Sequence, residues 1–168
     1  MADLPFPVPP VAGVAAPPPR PWVLLLVDDE PDILSSFKTI IETCIPGTKV
    51  ITSTTGRKAI DILDSTPVDA IIADFKMPGM DGIELLYLAR KLHPSVPRIM
   101  LTAFADDDLI RRAIADAFVD EFIPKMVQPA DFLKRITRFL ELSHLDPQPV
   151  ALAPTRPPPP AADARSRT

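Results

Sequence analysis

The chain has 168 residues, a formal net charge of −4 and a pI near 5.1, with 46% hydrophobic and 24% charged residues. That length suits one domain of common size rather than two large ones. One cysteine, Cys44, excludes an internal disulfide, two histidines leave a Cys/His zinc site short of ligands, and the acidic balance argues against a general nucleic-acid binder.

Residues 1–21 hold eight of the 23 prolines and residues 146–168 hold seven. Proline donates no N–H and fixes φ, so both segments are expected to be disordered or polyproline-like tails around a folded segment, 22–145. The N-terminal apolar residues are broken by prolines and follow no basic leader, a poor match to a signal peptide, and no apolar run nears the ~20 residues of a membrane span. A reduced, cytoplasmic protein without membrane contact is expected.

Within the folded segment, short apolar runs alternate with amphipathic stretches. Trp22–Val27 is continuously apolar, as in a strand covered on both faces. Residues 32–44 place Ile33, Leu34, Phe37, Ile40, Ile41 and Cys44 at helical spacing, 49–53 is a second strand, and 56–63 a short helix. Residues 70–73 form a third apolar run, 83–92 a helix closed by His93 and Pro94, and 99–101 a fourth strand. A helix over 106–117 opens on Asp106, Asp107 and Asp108, where the macrodipole favours negative charge. Residues 121–123 are a short fifth strand, and 131–142 a closing helix with Phe132, Leu133, Ile136, Phe139 and Leu140 on one face. Five βα units predict an α/β fold, a parallel sheet with helices on both faces.

In such sheets, functional groups gather beyond the carboxyl ends of the strands. The first strand ends at Asp28 and Asp29, the third at Asp74, the fourth at Thr102, and the fifth just before Lys125. Each residue alone has a bland explanation: a solvated turn, a cap or a surface lysine. Together they put three carboxylates, a hydroxyl and an ammonium on one edge. Carboxylates so gathered repel unless a cation joins them, and a hard, oxygen-seeking ion such as Mg²⁺ does so. An ionised Asp74 could then attack phosphorus, with Lys125 meeting one oxygen of the transferred group and Thr102 donating to another.

At these residues the sequence resembles the receiver domain of two-component response regulators, the CheY-like superfamily. The match runs over residues 22–143. It is strongest at Asp74-Phe75-Lys76-Met77-Pro78-Gly79-Met80-Asp81-Gly82, which resembles the family's D-x-x-M-P-x-M-D-G. Val27-Asp28-Asp29-Glu30, Leu101-Thr102-Ala103 and Lys125 resemble its acidic pair, switch threonine and strand-end lysine. The resemblance implies a flavodoxin-like doubly wound sheet of five strands in order 2-1-3-4-5 with five helices. It implies Asp74 as phosphoacceptor, with Lys125 and Thr102 assisting. It also implies Mg²⁺ held by Asp29, Asp74 and the backbone carbonyl of Lys76, with Asp28 acting through water. A sensor histidine kinase would be the phosphoryl donor; neither His93 nor His144 is placed to act as the donor histidine.

The resemblance further implies a switch in which Thr102 moves to the phosphoryl group and Phe122 on the fifth strand turns inward. Lacking a hydroxyl, Phe122 loses less on burial than tyrosine would, so an inward tilt is expected even without phosphate. The sequence departs from the pattern at Met126, where the family usually has proline, often after a cis bond; a cis bond to a non-proline residue costs roughly 3–4 kcal/mol, so Lys125–Met126 is expected to be trans. Phe118 stands where many members have glycine, and Lys76 and Phe104 flank the phosphoryl position, where their bulk could slow hydrolysis.

The expected function is a stand-alone, phosphorylation-switched signalling module rather than an enzyme, since no second core follows residue 142. The signal would pass to an output protein, or to a second copy, through the face of the predicted fourth helix, fifth strand and fifth helix, where Arg111 and Arg112 lie. Alternatives are the receiver part of a larger transcription regulator and a phosphorylation-independent scaffold. An aspartyl phosphatase wants a second acid two residues after the nucleophile, where this chain has Lys76.

Overall fold

A computed structural model describes residues 20–103 and 119–145. The strands are β1 (Trp22–Val27), β2 (Thr48–Ser53), β3 (Ala70–Asp74), β4 (Arg98–Thr102) and β5 (Glu121–Pro124); the helices are α1 (Pro31–Cys44), α2 (Gly56–Ser65), α3 (Gly82–Leu92) and α4 (Pro129–Leu145). All strand pairs are parallel, in the order β2-β1-β3-β4-β5, the expected flavodoxin-like arrangement. The predicted helix over 106–117, with Arg111 and Arg112, lies outside the described residues, as do Phe104, Phe118 and both proline-rich segments apart from Arg20 and Pro21.

Alternate residues of each strand feed opposite layers, because successive side chains leave opposite faces. Leu24 and Leu26 of β1 join Leu34, Ile41, Ile72, Ile99, Phe132 and Ile136 beneath α1 and α4. Leu25 and Val27 join Ala59, Ile60, Leu63, Ile71, Leu85, Leu86 and Met100 beneath α2 and α3. Burial on both faces is why these strands read as unbroken apolar runs.

Local chemistry sets the helix starts. Pro31 stands at the first turn of α1, where a missing N–H costs nothing. The Asp81 side chain accepts from Glu84 N at 2.8 Å and caps α3. Helix α4 begins at Pro129, two residues before the expected start, for the same reason that proline suits α1. At the opposite edge of the sheet from the aspartates, two ion pairs tie strand starts to their loops. Arg98 Nη2 lies 2.9 Å from Asp120, and Arg20 Nη2 lies 2.5 Å from Asp69. Arg20 falls within the segment expected to be an N-terminal tail, and this contact fastens its last residues to the domain.

Candidate acidic site at the sheet edge

The register brings the strand ends together. Val27 pairs with Ala73, so Asp28, one residue past β1, comes level with Asp74, the last residue of β3, and Asp74 itself pairs with Leu101, the residue before Thr102. Thr102 pairs with Pro124, and Lys125 N donates to Thr102 O at 2.7 Å, carrying the ladder one step past β5. One sheet edge therefore presents Asp28, Asp29, Asp74, Thr102 and Lys125.

One carboxylate oxygen from each of Asp28, Asp29 and Asp74 lies within 4.8 Å of the other two. Asp28 is fully buried, Asp74 is buried, and Asp29 is the most open of the three. Asp28 Oδ1 accepts from Glu30 N at 2.9 Å, and Asp28 Oδ2 accepts from Lys125 Nζ at 2.8 Å. The same ammonium lies 2.9 Å from Asp74 Oδ1. Lys125 thus bridges two of the three acids, and its peptide bond to Met126 is trans, as expected.

Burial pushes the Asp74 carboxyl above its ordinary range; Lys125 pulls it back and Asp28 adds to the rise. Burial alone would lower the Lys125 ammonium, but Asp28 and Asp74 outweigh it and hold it above its usual value. With all groups ionised, three carboxylates face one ammonium and two negative charges stay unbalanced, the charge of one divalent cation. The donor set is all oxygen, as Mg²⁺ requires. Its ligands stand at about 2.1 Å, so opposite positions of an octahedron are about 4.2 Å apart. The three carboxylate oxygens, all within 4.8 Å of one another, are gathered on that scale. Asp28 is already committed to Lys125 and Glu30 N.

Thr102 is fully buried. Phe122 is half-buried, pairs in register with Met100, and packs against the apolar cluster that includes Met100 and Val119. Lys76 is exposed in the loop after Asp74, while its neighbours Phe75 and Met77 are buried.

Two features were not read from the sequence. One is the Lys125 contact with Asp28, which joins residues 97 apart in the chain. The other is the need for glycine at position 82. A Cβ there would lie 2.1 Å from the carbonyl oxygen of Asp74, so only glycine lets α3 start against that backbone. Gly82 N also donates to Phe75 O at 3.0 Å. The available signal was a glycine straight after the Asp81 cap.

The model of the response regulator receiver domain family matches residues 24–137. Among curated proteins, the cyclic di-GMP phosphodiesterase response regulator RpfG of Xanthomonas campestris is 31% identical over 71% of this chain and 32% of its own length. Transcriptional regulators matched at 34% identity are covered over 52% of their length, so the chain spans about half or less of these curated relatives. Among solved structures, a CheY-like receiver domain protein from Methanospirillum hungatei superposes with a TM-score of 0.68 at 31% identity, covering 74% of this chain and 97% of that one. The Thermotoga maritima response regulator TrrA, in complex with Mg²⁺-BeF, superposes with a TM-score of 0.63 at 26% identity, covering 70% of this chain and 98% of that one. Family match, fold and strand-end chemistry agree: this chain belongs to the response regulator receiver domain family of two-component signalling.

Proposed function

We propose that Asp74 accepts a phosphoryl group from the phosphohistidine of a sensor kinase, and that the protein signals through a surface that changes with phosphorylation. The observation that carries this is the Lys125 bridge between Asp28 and Asp74 beside three carboxylates with two charges unbalanced. Asp29, Asp74 and the Lys76 carbonyl would hold Mg²⁺ directly, and Asp28 through water. Bound there, the ion would balance charge on the carboxylates and on the incoming phosphoryl oxygens. An oxygen of ionised Asp74 forms the new P–O bond while the P–N bond to the donor imidazole breaks, the leaving nitrogen taking its proton from solvent. The Lys125 ammonium, placed at 2.9 Å from that carboxylate, meets the added negative charge. Thr102, one residue beyond the register partner of Asp74, donates to a phosphoryl oxygen, and Phe122 fills the space the hydroxyl leaves.

Incubation with acetyl phosphate and Mg²⁺, resolved on a phosphate-affinity gel, tests this directly. The wild type should shift, and Asp74→Asn should not. An unshifted wild type, or a shifted Asn variant, overturns the assignment. We place the module in the cytoplasm, where such kinases act; among the described residues no helix is long and apolar enough to cross a membrane. The output is either a separate protein, or a second copy meeting the surface around β5 and α4, or an attached effector. The last reading, a receiver serving as the input part of a longer regulator, is favoured by the length of the curated relatives. The mass of the native chain in its host separates it from the free-standing form.

A further inference from the structure

The loop from Phe75 to Asp81 connects β3 to α3 and carries Lys76, whose carbonyl the proposed function makes a metal ligand. Something must fix that loop's height above the sheet edge. At its far end Gly82 presses on the Asp74 carbonyl. In its middle, Gly79 turns the chain with a φ of +83°, and Met80 N donates to Pro78 O at 3.1 Å. Met80 then reaches out of the loop onto the first residue of another helix, Gly56 of α2.

The fit there is close. A Cβ at Gly56 would lie 2.7 Å from Met80 Sδ, 2.9 Å from its Cγ and 3.0 Å from its Cβ. The whole stem of Met80 covers the glycine, so turning the thioether aside would not make room and the loop backbone would have to shift. Gly56 has no positive φ, so the glycine is required by space and not by backbone conformation. Helix propensity alone would favour alanine at this position. A short hydrogen-bonded link runs from the acids to the residue before Gly56: Asp28 N donates to Ser53 O, and Ser53 Oγ donates at 2.9 Å to the carbonyl of Thr55, the α2 cap.

We propose that Gly56 is a positioning residue for the phosphoacceptor loop, acting through Met80: the seat it offers sets where the loop, and with it the Lys76 carbonyl, stands relative to Asp74. The inference rests on the assignment of Asp74 as phosphoacceptor for its consequence, but not for its geometry.

The test is a cycle of Gly56→Ala, Met80→Ala and the double variant in the full chain, read in two ways. Amide chemical shifts of residues 75–81, recorded without Mg²⁺ or phosphate, should move in Gly56→Ala and return most of the way to the Met80→Ala values in the double variant. Mg²⁺ affinity by calorimetry and the acetyl phosphate rate should fall about fivefold to tenfold in Gly56→Ala, and the double variant should recover to within about twofold of Met80→Ala. Loop shifts in Gly56→Ala that match wild type, or a double variant no better than Gly56→Ala, overturn the proposal. If Gly56→Ala does not fold, Met80→Ala decides: it empties the seat, so hydrogen exchange of the 76–80 amides should quicken, and exchange as slow as in wild type overturns the proposal. A wild type that takes up no phosphate would refute the assignment of Asp74, while the shift and exchange arms would still judge the role of Gly56.

Discussion

Lys125→Met isolates the electrostatics of the acidic edge. The methionine keeps most of the apolar stem and removes the ammonium that bridges Asp28 and Asp74. Two carboxylates within 4.8 Å then face each other without a counter-charge. At an effective dielectric of about 20 that repulsion is about 3.5 kcal/mol, within the range of about 3–5 kcal/mol for stripping one partner from a buried ion pair. Solvent at Asp29 and the relieved burial of the ammonium trim this, so a loss of about 3 kcal/mol near neutral pH is expected. In urea, with a slope of about 2 kcal/mol per molar, the midpoint should fall by about 1.5 M in the presence of a chelator. The deficit should depend on pH with a definite sign. Burial already holds the Asp74 carboxyl above its unfolded value, and removing Lys125 lifts it further. A raised carboxyl contributes stability that is complete at low pH and lost as pH rises through the folded value. The variant should therefore lie nearer wild type at about pH 5 than at about pH 8. Millimolar Mg²⁺ should also stabilise the variant more than the wild type, because the ion then supplies the missing counter-charge. Urea titrations at both pH values, with and without Mg²⁺, decide the matter. A deficit equal at both pH values and indifferent to Mg²⁺ would mean that the lysine acts by packing alone, and the charge-balance reasoning would fail.

Gly82→Ala should cost about 2–3 kcal/mol and slow acetyl phosphate uptake at least about tenfold, because the new methyl strikes the Asp74 carbonyl and α3 must back away; a wild-type uptake rate would refute the close-contact argument. Arg98→Met keeps apolar volume but leaves Asp120 and the carbonyls of Pro94 and Val96 without the guanidinium, at a cost of about 2 kcal/mol by urea titration. Its phosphorylation rate should stay at the wild-type value, because the pair lies at the opposite edge of the sheet. Asp81→Ala removes the cap of α3 and should lower stability by about 1 kcal/mol, with Asp81→Asn recovering most of it; equal losses in the two variants would argue against a capping role.

Periodicity and polarity along the chain determined most of the frame. Trp22–Val27 and Ala70–Ala73 are apolar throughout because helices cover both faces of their strands, and that pattern alone announces a central parallel strand. The acids, Thr102 and Lys125 were legible as a group because each stands at or just past the carboxyl end of a strand, and parallel strands carry all those ends to one edge. What spacing could not decide was which groups touch. Lys125 reaches Asp28 across 97 residues of chain, a contact that exists only once β1, β3, β4 and β5 are laid side by side. The demand for glycine at position 82 comes from how close α3 stands to Asp74, a distance with no signature in local propensity. Arg98 lies just before the strand expected at 99–101, and its burial becomes visible only when Asp120 and the carbonyls of Pro94 and Val96 close around it. A sequence records what each residue prefers near its chain neighbours. Pairings across the sheet and the closeness of packed backbones are properties of the assembled layers, and only the tertiary structure decides them.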